Sequence, residues 1–581
     1  MSDTTVAVVG SGAAAEGVRA ALGDVDATVT TPDAVGLDAS LALAVVVARS
    51  GSADFRRADE RAREADLPWI AVELGGVGGH ALDDVDASVV GFGPESGCYT
   101  CLAARVAADA EEKTRTAPSV SRSAVRLAGA HAGSLAVRAL AGADVSGTVL
   151  EFPHAERVFL PVPHCEACGG APARELDLAD ETAPDLDGVL ERAERAVDER
   201  VGIVQAVGER ESFPAPYYLA QLCETSGFSD ATAERQAAGV AAGWDRAYVK
   251  ALGEGLERYS AGVYRRADFE RAPADREDGV PVDRFVRPGG AVTPDPGDTL
   301  RWVAGRDLHD GSNVALPAAF VVFPPPEERY GPAITTGLGL GGSTVDAVLS
   351  GLYETVERDA TMLAWYSTFD PLGLRVDDAD GDFADLAKRA RSEGLTVTPL
   401  LVTQDVDVPV VSVAVHRADG EWPRFAVGSA ADLDAAAAAR DALSEALQNW
   451  MELRAMGSER AAGEEGAIAR YADFPREVRG LVDPETTVPV DAVGPDEPPS
   501  GRAELSAVLD ALDGAGLDAY AARLTPRDVD ALGFEAVRVL VPEAQPLFVD
   551  VGEPFFGERA GRVPRELGFR AQLDRPFHPY P

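Results

Sequence analysis

Lysine is almost missing from this 581-residue chain: Lys113, Lys250 and Lys388 are the only three, so nearly all of its positive charge is arginine. None of the three follows a glycine, which excludes the Gly-Lys-Ser/Thr phosphate loop as a route to nucleotide. Basic residues as a whole are scarce, 53 Lys and Arg against 96 Asp and Glu, for a net charge of -43. A chain so short of basic surface is not a broad nucleic-acid binder. Its 5 cysteines are too few for a disulfide scaffold. No apolar run reaches the length of a membrane span, and Met1-Ser-Asp-Thr-Thr5 lacks the basic and apolar regions of a signal peptide. The expectation is a cytoplasmic protein that engages no membrane. Low lysine beside a large acid excess matches a cytoplasm kept at high salt, where screening relieves self-repulsion, so a halophilic origin is expected.

What is present begins with 46% hydrophobic residues, enough for several packed cores in a globular α/β chain. Residues 5–9 read as a buried strand, Gly10-Ser-Gly12 as a turn, and the Ala-rich run from Ala13 as a helix. The third glycine of a dinucleotide fingerprint is replaced by Ala15, and Glu16 places negative charge where a phosphate would lie. A Rossmann-like unit with no nucleotide is expected, continued by apolar runs at 41–48 and 68–73. Two Cys-x-x-Cys knuckles follow, Cys98-Tyr-Thr-Cys101 and Cys165-Glu-Ala-Cys168. Two pairs supply four thiolates, which points to a structural zinc site rather than a redox dithiol, for which one pair suffices. His164 reads as a neighbour of that site or an exposed residue, and Cys223 as a small buried apolar group.

The expected domains are 1–175, an acidic helical connector at 176–199, and 200–581. In the last, helices are predicted over Ala247–Val263, Ala347–Thr368 and Asp434–Met456, and strands over Thr299–Val303, Val314–Phe323, 396–402 and 409–415. Residues 482–500 read as an exposed loop. The tail after Val537 reads as irregular, anchored by Phe548, Phe555, Phe556, Phe569 and Phe577.

Each predicted helix carries one pattern: Leu252-Gly-Glu254-Gly-Leu256-Glu257-Arg258, Leu352-Tyr-Glu354-Thr-Val356-Glu357-Arg358 and Leu443-Ser-Glu445-Ala-Leu447-Gln448-Asn449. Apolar residues at i and i+4 share one face while Glu or Gln at i+2 and i+5 project from another. Glutamates brought together in this way repel unless cations lie among them, so a divalent-metal site of oxygen ligands is the chemistry indicated. In so acidic a chain a single Glu-x-x-Glu is more often a solvated face; the triple repetition is what argues for a site.

Taken in order, Glu-x-x-Glu-Arg, then Glu-x-x-Glu-Arg-Asp behind the turn Thr335-Thr-Gly-Leu-Gly-Leu-Gly-Gly342, then Arg440-x-x-x-Ser-Glu445-x-x-Gln448, the motifs resemble those of the YcaO family across residues 200–581. The first part of the chain, with its knuckles, is similar to the zinc-binding ThiF-like domain fused to or partnered with YcaO domains in azoline-forming peptide modification, as in bacteriocin biosynthesis. The resemblance implies an ATP- and Mg2+-dependent enzyme. A nucleophile adds to a backbone amide of a precursor peptide, the amide oxygen is phosphorylated, and phosphate leaves. Cys, Ser or Thr as nucleophile gives an azoline by cyclodehydration; sulfide from a delivering partner protein gives a thioamide; a non-catalytic peptide-binding scaffold is the third option. It also implies that Glu254, Glu257, Glu354, Glu357 and Glu445 hold Mg2+ directly or through water, that Gln448 meets metal or nucleotide, and that Arg258, Arg358 and Arg440 meet phosphate oxygens or hold the carboxylates in place. An Arg258–Glu254 helix pair competes for the first arginine. Lys250 stands where many members carry Ser, either toward a phosphate or paired with Glu254. The ending Pro576-Phe-His-Pro579-Tyr-Pro581 resembles the family's Pro-rich tails that enter the active site, which makes Pro581 a catalytic candidate and His578 either a proton carrier or packing. A homodimer is expected from related domains.

Overall fold

The computed structural model describes residues 4–93, 96–108, 120–153, 155–170, 174–179, 184–376, 381–461, 467–548 and 553–580. Its first sheet runs in the order Thr28–Thr30, Thr5–Val9, Leu43–Arg49, Trp69–Leu74, Ala87–Phe92, Thr148–Phe152, Ala155–Val158. The first four strands are parallel and the remainder antiparallel. Parallel strands need covered faces, and the sequence supplies apolar residues to both. Val6, Val8, Val45, Ile70 and Val72 pack under helices α1 (Ala13–Leu22) and α4 (Arg122–Leu140). Ala7, Val9, Val46 and Ala71 face the other way, toward α2 (Ala53–Glu64) and α3 (Tyr99–Ala108). The strand–turn–helix at residues 5–22 and the strands expected at 41–48 and 68–73 are therefore present.

Beyond α5 (Leu186–Glu194), three sheets each carry one of the motif helices. The first, of Val204–Glu211, Tyr217–Leu222 and Gln236–Val240, supports α6 (Trp244–Gly262). The second contains Thr299–Asp307, Tyr520–Arg523, Glu535–Leu540 and Leu338–Gly341; on it lie the one-turn helix α7 (Ala318–Val321) and α8 (Thr344–Trp365). The third is ordered Phe425–Ala431, Val410–His416, Thr396–Leu401, Leu372–Arg375, Thr487–Pro489; against it pack α9 (Asp382–Ser392) and α10 (Ala435–Met456).

Glycine lets each helix approach its strand. A Cβ on Gly239 would lie 2.3 Å from Ala247 O, one on Gly339 2.1 Å from Ala347 O, and one on Gly428 2.6 Å from Ala442 O. These contacts are shorter than any side chain tolerates, so the three strands cannot carry a larger residue there without moving the helix.

Four expectations need correction. Val314–Phe323 is not one strand: Asn313–Pro317 pairs with Thr299–Asp307, and the chain then turns into α7. Residues 482–500 are not wholly loop, because Thr487–Pro489 adds a parallel strand to Leu372–Arg375. The described part of the tail after Val537 is not wholly irregular: it completes the buried strand Glu535–Leu540 and contains the helix Glu558–Glu566; of its aromatics, Phe548 and Phe555 are buried and Phe556 and Phe577 pack beside them. The connector is more than a link: Ala193 and Ala196 are buried in the apolar cluster that also holds Cys98, Leu252 and Val529. That cluster runs without a break from the first sheet to α6.

Candidate functional site

The three motif helices point their acidic faces into one cavity of about 1210 Å³. Lys250, Glu254, Glu257 and Arg258 line it from α6, Glu354, Glu357 and Arg358 from α8, and Glu445 and Gln448 from α10. Each helix fixes its leading glutamate by the same device, a backbone N–H donated from the preceding strand or turn. Ala238 N donates to Glu254 Oε2 at 3.3 Å, Gly337 N to Glu354 Oε2 at 2.9 Å, and Ser429 N to Glu445 Oε2 at 2.6 Å. The Gly-mediated close approach brings those N–H groups within reach.

Arg358 stands at the centre. Its guanidinium lies 3.9 Å from Glu354, 3.5 Å from Glu357 and 3.7 Å from Glu445. Burial works against the cation, and Glu357, Glu445 and Glu354 more than offset it, so the guanidinium is held firmly protonated. Glu357 also accepts Ser429 Oγ at 2.7 Å. Arg258 donates to Glu234 at 2.8 Å and to Glu254 at 3.4 Å, so the intrahelical pair forms as one half of a fork. Lys250 is exposed at the rim.

Two carboxyls, Glu357 buried and Glu257 half-buried, indicate that these cations are too few. Burial, reinforced by Glu354, pushes Glu257 up to about 8. Burial, reinforced by Glu445, pushes Glu357 up to about 8 despite Arg358. Glu254 and Glu445 are raised as well, first by burial. These side chains open onto the cavity, Glu357 buried and the others half-buried, with protein packed around them on the remaining sides, so a proton on Glu257 or Glu357 takes the place of a missing positive charge. All-oxygen ligands of this kind fit magnesium, whose charge would relieve the same crowding.

The structure does not gather every candidate. Arg440 does not line the cavity itself; it forms a two-pronged pair, at 2.8 and 3.2 Å, with Asp441, which does. Gln448 reaches the cavity while donating to Glu452 at 3.1 Å. Pro581 lies outside the described residues. Its neighbours thread inward: Tyr580 is 1% exposed and its hydroxyl is 3.2 Å from Ser412 Oγ, next to the strand that carries Ser429. His578 is buried against Phe548, with Nε2 2.8 Å from Phe548 O. Burial holds it down at about 4, which fits packing better than proton transfer near neutral pH.

Sequence reading misses the residues beneath the glutamates. Ser429 orients two of them. Arg538, 3% exposed, donates to Thr335 O at 2.9 Å and Ile334 O at 3.0 Å, and its charge reaches Glu354 and Glu257. A signal for it exists, since an arginine at an inward position of the strand Glu-Ala-Val-Arg-Val-Leu breaks the apolar face.

A second cluster lies in the N-terminal domain. The sulfurs of Cys98, Cys101, Cys165 and Cys168 all fall within 4.8 Å of one another, with contacts of 3.8, 3.6 and 3.4 Å. Four sulfurs about 2.3 Å from a common centre would be roughly 3.8 Å apart at the corners of a tetrahedron, so the set can hold a metal ion. His164 is not among the four; it pairs with Asp268 at 3.0 Å. Cys223 is buried, with Arg105 4.0 Å from its sulfur. At the glycine turn, Arg19 donates to Gly10 O at 3.0 Å, and Glu16 occupies the first turn of α1.

With this geometry in hand, likeness to known proteins becomes informative. Residues 238–545, more than half of the chain, match the family model described as YcaO cyclodehydratase, ATP- and Mg2+-binding. The chain belongs to the YcaO family. A curated relative, an uncharacterized protein of Methanothermobacter thermautotrophicus, is 29% identical over 336 residues, 56% of this chain and 84% of its own. A solved heterocyclase in complex with substrate and cofactor shares the fold at a TM-score of 0.74 and 18% identity, covering 99% of this chain and 84% of that one. The heterocyclase TruD follows at 0.67 and 18%, covering 99% and 83%. At such identity the likeness is one of fold, and it extends through both the N-terminal sheet and the YcaO domain. Among the described residues no helix is long and apolar enough to cross a membrane.

Proposed function

We propose that this protein is an ATP- and Mg2+-dependent enzyme that activates backbone amides of a precursor peptide and cyclises Cys, Ser or Thr residues to azolines. The observation that carries the proposal is the convergence of Glu254, Glu257, Glu354, Glu357 and Glu445 from three helices on one cavity, with two of them held near 8 by burial and crowding. Those five would hold magnesium directly or through water, and Gln448 would meet metal or nucleotide without adding charge. Bound magnesium would supply positive charge between the carboxylates and the phosphate oxygens. Arg258 and Arg358, planar and permanently charged, would contact phosphate oxygens as charge develops there, with Lys250 at the rim. Arg440, paired with its neighbour Asp441, would act by holding that carboxylate in place at the cavity wall and not by direct contact with phosphate. Tyr580, hydrogen-bonded to Ser412 on the strand beside the one that carries Ser429, would anchor the Pro-rich tail behind the site.

In the same proposal the four-cysteine cluster holds structural zinc, and the N-terminal domain is a ThiF-like docking unit for the precursor peptide or a modifying partner. ATP–pyrophosphate exchange by that domain would contradict a docking role. The acid excess reads as adaptation to a salt-rich cytoplasm. The functional test is mass spectrometry of a candidate precursor after co-expression. Loss of one water per ring supports cyclodehydration, an oxygen-to-sulfur exchange would establish thioamidation instead, and an unmodified peptide with no ATP turnover would leave a binding scaffold.

A further inference from the structure

A buried polar cluster outside the cavity joins the cysteine set to α6. Arg105 stands one helical turn beyond Cys101 on α3, and both it and its partner Asp528 have side chains 0% exposed. Its guanidinium pairs with Asp528 Oδ2 and also donates to Leu160 O and Pro161 O, each at 3.2 Å. Those two carbonyls lead into the second knuckle, so one side chain braces both knuckles. Asp528 Oδ2 accepts the hydroxyl of Tyr259 at 2.6 Å, and that oxygen is 3.4 Å from Arg105 Nη1. Tyr259 directly follows Arg258 on α6. The residue before Asp528 closes the circuit: Arg527 donates to Cys168 O at 3.0 Å and to Cys168 Sγ at 3.4 Å. Both knuckles therefore meet at Arg527–Asp528, and that pair is fastened to the helix carrying Glu254, Glu257 and Arg258.

Physical chemistry gives this cluster a direction. A metal ion held by all four sulfurs fixes the two knuckles relative to each other, and Arg527, hydrogen-bonded to Cys168 O at 3.0 Å, is carried with them. A fully buried Arg–Asp pair cannot be left half-made without a large penalty, so a shift of the knuckles is passed on to Tyr259 more readily than it is absorbed. We propose that Arg105, Asp528 and Tyr259 are positioning residues through which metal loading of the four-cysteine cluster sets the placement of α6, and with it the affinity of the cavity for Mg2+ and ATP. The zinc occupancy of the cluster and the nucleotide half of this statement both rest on the proposed function.

The test uses the full chain, zinc-loaded or stripped by a chelator, and follows amide hydrogen exchange across residues 250–260 without nucleotide. Stripping is expected to speed exchange there by roughly tenfold in the wild type and by much less in Tyr259→Phe, which keeps the ring and loses the hydroxyl. No change in the wild type, or an equal change in both, overturns the proposal. Should stripping unfold the N-terminal domain, Arg527→Gln serves instead. It retains all four cysteines and its metal content can be measured, and exchange in α6 at the wild-type rate with metal bound overturns the proposal equally. For nucleotide, Tyr259→Phe is expected to weaken binding of Mg2+ and ATP by about fivefold, raising KM with little change in kcat. Coupled exchange without any ATP binding would sink the site reading and leave the positioning role; normal ATP binding with uncoupled exchange would sink the positioning role alone.

Discussion

Replacing Glu357 by Gln should stabilise the protein when no metal or nucleotide is present, and only at high pH. Glu357 is 8% exposed and titrates near 8 in the folded chain, against about 4.3 for an unfolded glutamate. Between those values the folded state holds a proton that the unfolded state has released, so stability falls as pH rises through this window and stays low above it. At about 1.4 kcal/mol per pH unit the full shift would reach roughly 5 kcal/mol; water in the cavity and partial pairing with Arg358 bring the expectation to about 1–3 kcal/mol. Glutamine keeps the shape and can still accept from Ser429 Oγ, but it has no charge to bury. Thermal unfolding in excess chelator should therefore show Glu357→Gln melting above the wild type at pH 8 by about 1–3 °C, with the gap closing at pH 5. Added Mg2+ and ATP should raise the wild-type midpoint and leave the variant where it was. A variant that melts below the wild type at pH 8, or by the same margin at both pH values, would refute the crowding argument.

Four further outcomes are expected. Arg358→Ala should cost about 3–5 kcal/mol and abolish ATP turnover, because three carboxylates lose their shared cation; an active, wild-type-stable variant in a denaturation series would contradict its central place. Mg2+ affinity should rise with pH until about 8, since the ion competes with protons on Glu257 and Glu357, and calorimetry at several pH values would expose a flat profile. Cys101→Ser should lower bound metal, measured by elemental analysis, together with the unfolding midpoint; unchanged metal content would remove the cluster from consideration as a site. With a net charge of -43, the chain should lose thermal stability on transfer from molar to 50-millimolar-scale salt, and an unchanged midpoint would dissociate the acid excess from salt adaptation.

The sequence makes the site helices readable because their patterns are local. Leu252 and Leu256, and Leu443 and Leu447, share a helix face whatever they pack against, and all four are buried. The cysteine pairs are readable for the same reason: their spacing carries the geometry. What holds the glutamates in place is not local. The N–H groups of Ala238, Gly337 and Ser429 lie 16, 17 and 16 residues upstream of the carboxylates they serve, and only the strand–helix packing joins them. Asp528 is hidden by its surroundings in sequence, since one buried acid among 96 carries no mark of its own. The tail misleads for another reason: Pro564 within the helix Glu558–Glu566 reads as a breaker, yet it is buried and the helix continues through it.

The most direct test of the three-helix site is equilibrium binding of ATP to the full chain with and without Mg2+, in the wild type and in Glu257→Gln and Glu357→Gln. Mg2+-dependent binding is expected in the wild type, and both substitutions should abolish it while the fold, followed by circular dichroism, is retained. Binding that persists in both variants, or that needs no magnesium, would place the nucleotide elsewhere and contradict the three-helix site.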